Sequence, residues 1–79
     1  MDKLRGTVTS VMESWPLQLV VTDAAGNDHA VGLLETAMVR GVGGLRDPGE
    51  LVEGQLVEVV IRERRGGDAI LTDDIVILE

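Results

Sequence analysis

His29 is the only imidazole in the chain, and Asp23, Asn27 and Asp28 stand close to it, so the first chemistry to weigh is a metal held at a turn. Transition-metal centres need three or four protein ligands, and a calcium loop needs acidic or amide side chains at alternate positions ahead of its glycine. The run Asp23-Ala24-Ala25-Gly26-Asn27-Asp28 fits neither pattern. The expectation is that Asp and Asn cap a turn, His29 opens a strand, and no metal is held. Asp73 and Asp74 are adjacent carboxylates. Neighbours in a strand point to opposite faces, so these two form no acid–base pair unless a bulge turns them together. One histidine without a placed acid gives no triad for Ser10, Ser14 or the threonines. The glycines of Arg40-Gly41-Val42-Gly43-Gly44-Leu45-Arg46 lack the lysine of a P-loop and match no nucleotide motif. The chain therefore reads as a protein without catalytic residues or cofactor.

What remains is binding chemistry. Arg62, Arg64 and Arg65 form the one local basic cluster, with Glu63 inside it, and Trp15 is followed by Pro16 and preceded by Met12. Single-strand binding relies on aromatic platforms as well as positive grooves. This chain has one tryptophan, no Phe or Tyr, and seven bases against fourteen acids, a net charge of −7 that repels polyanions. Met12, Trp15, Arg62, Arg64 and Arg65 are thus candidate contacts for a protein partner or a second copy. Nucleic acid is disfavoured and stands as the alternative that Trp15 and the arginine hairpin would serve. Trp15 either anchors an interface or packs in the core, and the core is favoured because no other aromatic is there to fill it.

These side chains must be positioned by one small domain, spanning residues 1–79. A chain of this length buries only about 60% of its unfolded surface, so docking or self-association is an easy route to stability. The absence of cysteine removes disulfides, thiolate zinc sites and cysteine nucleophiles together. Met1 to Gly6 holds no apolar core of a signal peptide, and no run approaches the roughly 20 apolar residues of a membrane span. A cytoplasmic protein, complete from its Met1 to the strand that ends at Glu79, is expected.

Apolar residues nearly alternate through five runs separated by Gly, Pro, Asn and Asp, the pattern of short strands. The first covers Leu4 to Met12, with Gly6 at a bend. The second, Leu17 to Thr22, puts Leu17, Leu19 and Val21 on one face. A turn at Gly26 joins it to the third, His29 to Leu34, with Val31 and Leu33 one way and Ala30 and Gly32 the other. Glu35 to Arg40 fits one or two helical turns ended by the following glycines, and Asp47-Pro48-Gly49 is a turn. After a tight turn at Gly54 the fourth run aligns Val57, Val59 and Ile61. Arg62 to Asp68 connects to the fifth, Ala69 to Leu78, with Leu71, Ile75 and Ile77 in phase across the Thr72-Asp73-Asp74 interruption, where a bulge is expected. Val20, Val39, Val42, Val52 and Val60 fall off these core faces, a surplus that points to an interface.

Five strands with a short helical or irregular excursion between the third and fourth give an all-β, five-stranded OB-like small barrel. The frame Leu4-Arg5-Gly6-Thr7-Val8-Thr9-Ser10-Val11, the segment Glu50-Leu51-Val52-Glu53-Gly54-Gln55-Leu56-Val57-Glu58-Val59 and the closing Ala69 to Ile77 strand resemble the small bacterial OB-like barrels of unknown function. That resemblance implies the architecture and no catalytic residue. The function expected is a non-catalytic binding or assembly module that engages other protein chains or itself through the barrel surface.

Overall fold

The computed structural model describes residues 2–12, 17–65 and 69–78. Its strands are β1 (Lys3–Met12), β2 (Gln18–Asp23), β3 (Asp28–Gly41), β4 (Gly44–Arg46), β5 (Leu56–Val60), β6 (Glu63–Arg65) and β7 (Ala69–Ile77), with one 3-10 turn at Pro48–Glu50. Five of them close a barrel in the order β1-β2-β3-β7-β5 and back to β1. Every pairing in that ring is antiparallel except β3 with β7, which run parallel and seal it. β4 and β6 add short flanks to β3 and β7. This is the all-β, OB-like small barrel expected from the alternation, with the 3-10 turn as the excursion.

β1 makes the closure possible by belonging to two ladders. Lys3 to Thr7 pair with β5, Gly6 to Met12 pair with β2, and Gly6 and Thr7 sit in both. A Cβ on Gly6 would lie 2.3 Å from the Thr22 carbonyl oxygen and 2.9 Å from a Val21 methyl, so only glycine lets the two backbones approach this closely. Three residues on, the β2 register skips Thr9, whose hydroxyl turns back to the Val20 carbonyl. This bulge tightens the coil of β1 around the core.

The interior is aliphatic. Val8, Leu19, Val21, Val31, Leu33, Val57, Val59 and Ile75 occupy it as the alternation requires, joined by Leu4, Val39, Leu51 and Ile70. Burying each such side chain contributes about 1.5–3 kcal/mol. Leu51 reaches the core from a loop fixed by a capping box: the Asp47 carboxylate accepts from the Gly49 N–H, and the Glu50 carboxylate accepts from the Asp47 N–H.

Three sequence expectations need correction. Glu35 to Arg40 is not helical but continues β3, because Val39 is buried and the segment pairs with β7 on one side and β4 on the other. Backbone pairing and core burial override a weak local preference. Val39 and Val60, read as surplus, are core residues; Val42 and Val52 are the ones left exposed. In β7 the buried residue is Ile70, with Leu71 on the outer side. Inward residues fall at 70 and 72, then at 75, so the phase flips at the double aspartate. The cause is the buried Thr72, whose hydroxyl donates to the Asp74 carbonyl and accepts from the Asp74 N–H. Opposite it, β3 spends residues 34–37 where β7 spends only residue 73.

Two substitutions test these constraints. Gly6→Ala lowers stability by about 1–3 kcal/mol or abolishes folding, read as the midpoint of denaturant unfolding. Thr72→Val, close in shape, removes both hydroxyl hydrogen bonds in a dry site and costs about 1–3 kcal/mol by the same assay; an unchanged midpoint would show that the phase flip does not depend on the hydroxyl.

Candidate functional site

An apolar concavity of about 310 Å³ lies on the outer side of β1, β2, β3 and β7. Strand register builds it in two rows. Ser10, Val20 and Ala30 are cross-strand neighbours, and Met12, Gln18, Gly32 and Leu71 form the next row. Ala30 and Gly32 are the floor, because outward positions on β3 that carry almost no side chain leave a trough. Met12 and Leu71 are its walls. Gly32 has a packing reason too: a Cβ there would meet a Leu71 methyl at 3.1 Å. Met12 is 59% exposed, a large apolar side chain held in water beside the trough. Among the described residues, no charged side chain lines it.

The rim nearest the β2–β3 turn is polar. The Thr22 hydroxyl donates to the Asp28 carboxylate at 2.7 Å and lies 3.1 Å from the Thr9 hydroxyl, a chain across three strands. At the turn itself, Asp23 works as a cap. One carboxylate oxygen accepts from the Ala25 and Asn27 N–H groups, and the other lies 2.9 Å from His29 Nε2. Gly26 takes positive φ, as the turn demands. The His29 hydrogen bond first, then that from Asn27, holds the Asp23 carboxyl below the usual aspartate range. Among the described residues no three His, Asp or Glu side chains are placed to hold a metal.

Asp73 and Asp74 do come to one side, contrary to simple strand alternation, because the irregularity at Thr72 turns them together. Both line a second depression with Thr36, Met38, Arg40 and Arg62. Arg40 Nη2 donates to both carboxylate oxygens of Asp74, at 2.9 and 2.7 Å, and Arg62 Nε donates to Asp73. Each carboxylate therefore has its own arginine, which suits a neutralised surface and not an acid–base pair sharing a proton. On the neighbouring β5, Glu58 is held below the usual glutamate range by Arg5, with Lys3 adding to it.

Of the candidate contact residues, Met12 lines the trough and Arg62 belongs to the Asp73 depression. Arg64 is exposed on β6 and pairs in register with Ile70; Arg65 pairs through its backbone with Ala69. Trp15 lies outside the described residues. Val20, one of the residues whose place off the core faces points to an interface, lines the trough; Ala30, Gly32 and Leu71 line it too and are not among the candidates. Their signal in the sequence is a pair of small residues at alternate positions of the third strand, on the face away from Val31 and Leu33. No helix among the described residues is long and apolar enough to cross a membrane. No protein-family model, curated protein or solved structure matches the chain.

The turn gives a pH prediction with a definite sign. A carboxyl whose folded pKa is depressed contributes stability above its unfolded pKa and loses it as pH falls through the folded value. Asp23→Asn should therefore melt below wild type at pH 7, and the two melting curves should converge as pH drops below about 4. A gap that persists unchanged in acid would show that the charge on Asp23 adds nothing.

Proposed function

We propose that this protein is a non-catalytic binding module whose trough on β1, β2, β3 and β7 takes an extended segment of another protein chain. The observation that carries this reading is the lining: small and aliphatic side chains with no charge among the described residues, walled by the exposed Met12. A trough about one side chain deep suits alternate apolar side chains of an extended backbone, the geometry by which strands dock on sheet surfaces and edges. The net charge of −7 favours a partner segment that carries lysine or arginine beside those apolar residues. Asp28, exposed two residues from Ala30 on the same face, is a rim group such a cation would meet.

The alternative is single-stranded nucleic acid held by Trp15 and the Arg62, Arg64 and Arg65 hairpin. In its favour, β6 borders the strand that forms one wall of the trough. Against it, Arg62 is engaged with Asp73 and no aromatic ring lines the trough among the described residues.

Selection of a displayed random-peptide library on the purified protein separates the two. Enriched peptides should alternate small apolar residues with Lys or Arg, and Ala30→Arg, which fills the exposed trough floor, should weaken them more than about tenfold while Arg64→Ala leaves them unchanged. Peptides indifferent to Ala30→Arg, or oligothymidylate binding at low salt that Arg64→Ala removes, would contradict this reading.

A further inference from the structure

The β3–β4 hairpin has a surface that the barrel does not use. Val42 at its tip is 83% exposed, Leu45 66% and Met38 50%. On this arm Val39 lies in the core and Ala37 packs partly against it. Gly43 and Gly44 take positive φ and shape the turn without help from the exposed side chains, so folding does not explain why Val42 and Leu45 are apolar. The charge here is also reversed. Residues 36–46 contain Arg40 and Arg46 and no acid, whereas the rest of the chain holds the other five bases and all fourteen acids, 5 − 14 = −9. Arg40 is taken up by Asp74, so the tip sets exposed apolar side chains beside one loosely paired cation, Arg46, on an anionic body.

The same surface offers a complement elsewhere. Val11, Leu51, Val52 and Glu53 line a shallow, open depression where β1 leaves β5, in which Leu51 is buried and Val52, with part of Val11, is the accessible apolar surface beside the Glu53 carboxylate. Apolar lining answers Val42 and Leu45, and Glu53 answers Arg46. Arg46 is free to exchange partners, because its pair with Glu50 is long, 3.8 Å, and about half exposed on both sides. Two different complementary patches on one chain make a heterologous contact between copies.

We propose that the chain self-assembles head to tail, the β3–β4 hairpin of one copy seating Val42 and Leu45 in the Val11–Leu51–Val52 depression of the next, with Arg46 on Glu53. None of these residues lines the trough, so this contact stands apart from the peptide reading and leaves that surface open in every copy. A small interface of this kind sits at the weak end of specific contacts, and assembly should grow with concentration and shrink with salt.

The test is native mass spectrometry and sedimentation velocity over a concentration series. Wild type should form species beyond the monomer. A Val42→Asp, Leu45→Asp double variant and a Val52→Asp variant should each weaken assembly more than about tenfold, with melting curves showing both folded. Mixed in equal amounts, they should give a one-to-one dimer and nothing larger, because each retains the half the other lacks. The charge swap gives a second reading: Arg46→Glu and Glu53→Arg should each weaken assembly alone, and mixing them should restore pairing through the two swapped ends. A wild type that stays monomeric throughout, variants that assemble as wild type does, or a mixture that stays monomeric would overturn the proposal.

Discussion

The barrel depends on one close approach. At Gly6 the backbone of β1 lies against the Thr22 carbonyl with no space for a side chain, and at that residue β1 passes from its pairing with β5 to its pairing with β2. If β1 could not serve both strands, β2-β3-β7-β5 would remain an open sheet with β2 and β5 as its two edges. The parallel contact of β3 with β7 would then have nothing to close. The bulge at Thr9 and the phase flip at Thr72 are consequences of the same demand, since a five-stranded ring needs its strands to coil sharply around a narrow aliphatic core. These irregularities also set the outer surface. The first places Ser10 and Met12 beside β2, and the second turns Asp73 and Asp74 to one side where Arg62 and Arg40 neutralise them.

Surface chemistry follows from what the inner face consumes. Val31 and Leu33 commit β3 to the core, which leaves Ala30 and Gly32 to form the trough floor on the outside. Charge is kept away from that floor and paired elsewhere: Arg40 with Asp74, Arg62 with Asp73, Arg5 and Lys3 with Glu58. Such exposed pairs contribute little stability each. Their consequence is spatial, because they leave a trough that is uncharged among the described residues within a chain that is acidic as a whole.

Much of this was legible in the residues. Alternation located β1, β2, β5 and β7 within a residue or so, Gly26 and Gly54 marked turns that do take positive φ, and Asp23 was readable as a cap. The second half of β3 was not legible, because Glu35-Thr36-Ala37-Met38 carries no alternation of its own and is held extended by neighbours distant in sequence. Leu71 was assigned to the wrong face for a related reason: a phase flip made by one hydroxyl cannot be counted from apolar spacing. The sequence singles out Met12 through its place beside Trp15 and Pro16, and the structure sets it on the trough. The sequence places Ala30 and Gly32 only on the face opposite Val31 and Leu33, and their meaning as a floor appears once cross-strand register sets Met12 and Leu71 beside Gly32.

The most direct measurement of the central claim, that the trough is the binding surface, is a proton–nitrogen NMR titration of the labelled protein with a peptide selected on it and, separately, with oligothymidylate. The account predicts that the peptide shifts the amides of Val20, Ala30, Gly32 and Leu71 while the oligonucleotide leaves the spectrum unchanged. Peptide shifts confined to residues away from β2, β3 and the start of β7, or oligonucleotide shifts centred on Arg62 and Arg64, would contradict it.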